Sequence, residues 1–103
     1  MPVVVEISIV PIGVGSSLSK YVAEALEILR KYNIKYVLAP SCTIFEEINV
    51  HKALKIVAEI HEKVLEKALR VLTLIKIDER RNRSEWSLEY KVESAKRKLG
   101  EEK

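Results

Sequence analysis

Val3 to Val10 reads V-V-V-E-I-S-I-V, with Val5, Ile7 and Ile9 alternating with Glu6 and Ser8. A period of two with one polar side predicts a half-buried strand, which Pro11 should close. Beyond Pro11-Ile-Gly-Val-Gly the period changes. Leu18, Val22, Ala25 and Leu29 recur at helical spacing, predicting a helix from a cap at Ser16 or Ser17 to about Tyr32, with Asn33 as a left-handed stop. Ile34 to Ala39 is short and apolar, and Pro40 interrupts it, as in a second strand turning into a third from about Thr43 to Ile48. Asn49 can cap a long amphipathic helix carrying Val50, Ala53, Leu54, Val57, Ile60, Val64 and Leu65 on one side and ending near Ala68. Arg70 to Ile77 reads as a fourth strand, and Asp78 to Arg83 as a polar, basic turn. Leu88, Val92, Ala95 and Leu99 then mark a terminal helix capped by Ser84 or Ser87.

The order β-α-β-β-α-β plus a C-terminal helix predicts an α+β fold. Two right-handed crossovers place both main helices on one face of an antiparallel sheet, the ferredoxin-like arrangement. The fourth strand complicates this picture. Val71, Ile75 and Ile77 point one way and Leu72 and Leu74 the other, which implies two buried faces. Two helices cover one face, so the other is expected to be covered by the C-terminal helix, another subunit or both. Glu6 and Ser8 of the first strand face away from its apolar side, and Lys76 and Asp78 share one face of the neighbouring fourth strand. They form a polar cluster that either orients a ligand or sets specificity in a subunit interface.

A length of 103 residues accommodates one hydrophobic core and hence one domain, residues 1–103. No apolar run approaches the roughly 20 residues of a membrane helix, and the first ten residues lack the basic opening of a signal peptide. The lone Cys42 cannot form an internal disulfide, so a reducing cytoplasm is expected. Gln is absent and Lys, Glu and Arg abound, a bias associated with hot habitats. The net charge of +3 is too small to point to a polyanionic partner. Arg80, Arg81, Arg83, Lys96, Arg97 and Lys98 are interleaved with acidic residues, as on a solvated, ion-paired surface, so no nucleic-acid partner is expected.

Motifs for catalysis are incomplete. Gly13 and Gly15 serve either a tight strand-to-helix turn or a polar ligand at the helix start. Leu18 stands where a dinucleotide fingerprint needs its third glycine, and no Gly-Lys-Ser/Thr follows. His51 and His61 lie too far apart along one helix to share a metal, and Leu65 occupies the second-histidine position after His61-Glu62. Cys42 lacks a basic neighbour in sequence and reads as a small apolar residue before a nucleophile. No cofactor or metal is expected.

The chain resembles the thiamine-binding protein family. The resemblance rests on I-S-I-V-P-I-G from Ile7 to Gly13, S-x-Y-V-A from Ser19 to Ala23, and Y-x-L-x-P-x-x-T from Tyr36 to Thr43. Glu46, His61-Glu62, R-V-x-T-x-I-K-I-D-x-R from Arg70 to Arg80 and K-V-E-S from Lys91 to Ser94 extend it over nearly the whole length. Where the family usually has Met-Gly-Thr and Glu-Gly, this chain has Ser41-Cys42-Thr43 and Glu46-Glu47. The resemblance implies a ferredoxin-like fold, dimers pairing through their sheets, tetramers of two such dimers, and binding of thiamine or its hydroxymethyl-pyrimidine part without catalysis. For such a ligand Glu46 can accept from the amine or pair with the cation, and Thr43 can bond a ring nitrogen. Tyr21, Tyr36 and Phe45 can form walls, and the turn carrying Gly15 and Ser17 can meet a polar tail. Each of these residues is also explained by packing or turn geometry alone. The expected interface is Leu72, Leu74, Glu6, Ser8 and Lys76. The leading expectation is a cytoplasmic homo-oligomeric binding module. The alternatives are a structural or regulatory protein-interaction module with an incidental pocket, and a pyrimidine-directed enzyme.

Overall fold

Alternation along β1 (Val3–Ile12) buries Val3, Val5 and Ile7 on one side. In the computed structural model, which describes residues 2–15, 18–81 and 88–100, that side receives both main helices. The further elements are α1 (Ser19–Lys31), β2 (Tyr36–Ala39), β3 (Cys42–Glu47), α2 (Val50–Leu65), β4 (Arg70–Glu79) and α3 (Leu88–Leu99). The strands form one sheet in the order β2-β3-β1-β4 with every neighbouring pair antiparallel. This is the ferredoxin-like arrangement, with α3 as the additional C-terminal helix.

The core lies between the sheet and the helix pair. Val3, Val5, Ile7 and Phe45 meet Ala25, Ile28 and Leu29 of α1 and Ala53, Ile56, Val57 and Ile60 of α2. Several boundaries differ from the sequence pattern. β1 runs through Pro11 to Ile12, because β3 pairs with β1 only as far as Ile7 and a proline is tolerated where one flank of a strand is open. β4 continues to Glu79 through the polar Asp78, since the register with β1 extends to Val3↔Glu79. α2 stops at Leu65, short of Ala68, while its cap at Asn49 is as expected, the side chain accepting from the Lys52 N–H at 2.8 Å. Asn33 is left-handed at φ 54° and ends the turn after α1.

The N-cap of α1 is Leu18, which makes no side-chain cap bond. Ser16 and Ser17, the expected caps, lie outside the described residues, as do Ser84 and Ser87 before α3. The buried face of α1 is Tyr21, Glu24, Ala25, Ile28 and Leu29. Leu18 and Val22, expected in the core stripe, are half-buried, because the first turns of α1 overhang a gap in the sheet instead of a packed strand. Leu54 and Leu65 of α2 likewise sit at the edge of that helix's buried stripe and are exposed.

Charged pairs stitch the two antiparallel helices together. Lys31 pairs with Glu59 at 3.4 Å, Glu27 with Lys63 at 3.0 Å, and Glu24 with Lys67. The Tyr32 hydroxyl donates to Glu59 Oε2 at 2.7 Å. That hydrogen bond above all holds the Glu59 carboxyl below its ordinary value, with Lys31 adding to it against an opposing effect of burial. A carboxyl depressed in the folded state adds stability above its unfolded value of 4.5 and loses it as pH falls through the folded value. Melting temperature should therefore decline on acidification below about pH 4.5 less steeply in Tyr32→Phe than in the wild type. Superimposable melting-temperature profiles would show the pair to be idle.

Candidate functional site

The length difference between β1 and β3 opens a notch in the sheet. β1 has ten residues and β3 six; their ladder ends at Ile7↔Thr43, while β1 continues to Ile12 against β4 alone. The β2–β3 hairpin turns at Pro40 and Ser41, and α1 passes over the gap. The result is a cavity of about 720 Å³. Four consecutive residues of β1, Ile7 to Val10, line it, as do six consecutive residues of the hairpin, Leu38 to Thr43. Successive strand residues point to opposite faces, so four in a row can border one cavity only if it meets the strand's edge. Leu18, Val22 and Leu26 of α1 add apolar cover, and Ser19 adds a hydroxyl. Across the mouth the Ser8 hydroxyl donates to the Ser41 carbonyl at 3.1 Å.

The structure does not gather the sequence candidates into this place. Thr43 is buried and lines the cavity. Glu46 projects from the opposite face of β3, three residues away, since an odd spacing along a strand reverses direction. It lines a separate cleft of about 350 Å³ with Pro2, Tyr32 and Lys35, and Lys35 pairs with it at 3.7 Å. Phe45 is wholly buried in the core, Tyr36 packs against that core, and Tyr21 is buried on α1 with the Lys20 ammonium over its ring. Gly15 does not border the cavity. Gly13 and Gly15 have φ of +84° and +93°, and a Cβ at either would meet nothing within 4 Å, so the turn requires them for backbone conformation and not for close approach. Ser17 lies outside the described residues. Sequence reasoning missed the cavity's apolar walls, Val10, Val22 and Leu26. The usable signal was the position of Pro40-Ser41, which shortens β3 relative to β1.

The expected interface residues do share one surface. Glu6 stands opposite Lys76 and Ser8 opposite Leu74 on the face away from α1 and α2. α3 crosses only one end of that face. Its Glu89 pairs with Lys35 beside β2 and its Lys91 with Asp78 on β4, so it spans the row containing the buried Val4. Leu72 and Leu74 remain 49% and 54% exposed, and Val92 and Leu99 of α3 are exposed as well. The C-terminal helix therefore covers one end of the second sheet face and leaves the part with Leu72 and Leu74 open. On the helix side, Ile75 and Ile77 of the edge strand β4 are also uncovered. His61 Nδ1 lies 2.6 Å from the Thr73 hydroxyl, tying α2 to β4, while His51 is exposed. Among the described residues no group of three or more metal-ligating side chains is assembled, and no helix is long and apolar enough to cross a membrane.

The profile of the family described as "Thiamine-binding protein" matches residues 5–96. A UPF0045 protein of the thermophilic archaeon Methanothermobacter thermautotrophicus is 40% identical over 96 residues, covering 91% of this chain and 96% of its own. The crystal structure of a hypothetical protein from Methanocaldococcus jannaschii superposes with a TM-score of 0.84 at 38% identity, covering 91% of this chain and 95% of that one. A crystal structure from Thermotoga maritima, described as that of a thiamine biosynthesis/salvage protein, superposes at 0.80 and covers 92% and 99% of the two chains. At 24% identity it supports the fold.

Proposed function

The chain belongs to the thiamine-binding protein family, and on that premise we propose that it binds thiamine or a hydroxymethyl-pyrimidine-type small molecule without turnover, in the cytoplasm, as a homotetramer built from dimers. The observation that carries the ligand reading is the cavity in the sheet notch. Its volume of about 720 Å³ lies within the roughly 300–1,000 Å³ usual for small-molecule sites, and its lining combines apolar walls with the hydroxyls of Ser8, Ser19, Ser41 and Thr43. Thr43 is buried and lines this cavity, which supports a role for its hydroxyl in holding the ligand. The family's description as a binding protein, and the thiamine biosynthesis/salvage description of the Thermotoga maritima protein, support the same ligand class.

Two separate apolar surfaces support the tetramer. One is the uncovered sheet face with Leu72 and Leu74, where Glu6 and Lys76 form a polar centre that fixes register; the other runs along the outer edge of β4 and α2, with Ile75, Ile77, Leu54 and Leu65. A dimer formed through either surface leaves the other to join dimers in pairs.

Cys42 supplies the test, because it is the only cysteine and lines the cavity. Thiamine or 4-amino-5-hydroxymethyl-2-methylpyrimidine at saturation should slow its alkylation by iodoacetamide at least about fivefold, and the ligand should be recovered unaltered. Unchanged alkylation, with no heat of binding for either compound, would refute the ligand reading. A chemically altered ligand would refute the absence of turnover.

A further inference from the structure

We infer that the ligand is read by the uncovered backbone edge of β1, and that the cavity therefore selects an uncharged aminopyrimidine over the thiazolium cation. The inference deepens the small-molecule reading above and rests on it. Beyond Ile7 the β3 side of β1 has no partner strand among the described residues, yet this stretch lines the cavity residue after residue from Ile7 to Val10. Every second residue of such an edge directs both its N–H and its C=O outward, one donor and one acceptor side by side. A 4-aminopyrimidine offers the complementary pair, an amino donor next to a ring-nitrogen acceptor, and can dock as a short strand would.

The side chains agree with an uncharged guest. No Lys, Arg, Asp, Glu or His lines the cavity among the described residues; its polar side chains are the hydroxyls of Ser8, Ser19, Ser41 and Thr43 and the Cys42 thiol. A cation moved into such surroundings loses its water without gaining a counter-charge. Glu46, the carboxylate suited to a thiazolium, lies on the other face of β3 and is paired with Lys35.

Calorimetry on the intact protein tests this with three probes: 4-amino-5-hydroxymethyl-2-methylpyrimidine, thiamine, and the 4-oxo analogue of the pyrimidine, which reverses the donor and acceptor. The aminopyrimidine should bind at least about tenfold tighter than thiamine, and the oxo analogue should lose on the order of tenfold or more, since it leaves edge groups unpaired. Affinity should be nearly constant between about 0.05 and 1 M salt, as no charge pair is formed. Amide resonances of Ile7 to Val10 and Ser41 to Thr43 should shift on binding. Tighter binding of thiamine, equal binding of the oxo analogue, or shifts confined to the surroundings of Glu46 would overturn this inference while leaving a binding protein in place. Failure of all three probes to bind would overturn the functional reading itself.

Discussion

Leu74→Asp is expected to break the assembly while leaving the protomer folded. In light scattering the wild type should have a mass roughly four times 11.8 kDa, and the variant the mass of one or two chains. The reason is the double character of Leu74. At 54% exposure it contributes little to the protomer's own core, but it stands beside Leu72 and opposite Ser8 on the sheet face that α3 leaves open. A carboxylate sealed into a dry interface without a partner costs several kcal/mol, and symmetry repeats that cost in every subunit. The far-UV spectrum should persist, with a lower and more concentration-dependent melting temperature, because association and folding are linked. Leu69→Asp is the control: this fully exposed leucine between α2 and β4 should tolerate the charge with mass unchanged. An unchanged mass in Leu74→Asp would place the subunit contact elsewhere. A monomeric wild type would refute the tetramer altogether.

Phe45→Ala should produce the largest loss of stability of any substitution considered. Phe45 is completely buried, and its strand neighbours Val5 and Tyr36 belong to the core or pack against it. Removing a buried phenylalanine to the β-carbon typically costs 3–5 kcal/mol, against a total stability of about 5–15 kcal/mol for a domain. At about 4–8 °C per kcal/mol for a chain of this size, melting should fall by roughly 12–40 °C. Phe45→Leu keeps most of the volume and should cost much less. The contrast also separates packing from recognition. If Phe45→Ala abolished ligand binding while melting as the wild type does, Phe45 would be a wall of the site after all.

These two residues show how far the linear pattern reaches. Alternation predicts that Leu74 lies on a second apolar face, since a strand apolar on both sides needs two covers and two helices on one face provide one, and the structure leaves it 54% exposed on the face away from those helices. The period-two and period-3.6 runs likewise placed all seven elements, and Asn49 and Asn33 acted as cap and stop, because helix, strand and turn preferences are set by steric and hydrogen-bonding effects within a few residues. The separation of Glu46 from Thr43 was also readable, since three residues along one strand reverse the side-chain direction.

The sequence by itself determined the order of elements and much of the central core, namely Val5, Ile7, Ala25, Leu29, Ala53, Val57 and Ile60, which follow from local periodicity. Only the tertiary structure decided that α1 begins after Leu18, that Val22 overhangs a gap, that α3 crosses one end of the second face instead of covering it, and that β1 outruns β3 by enough to open a cavity. Each of these depends on where one element ends relative to another distant in the chain. Burial and an open strand edge are properties of such lateral neighbours, and no local period encodes them.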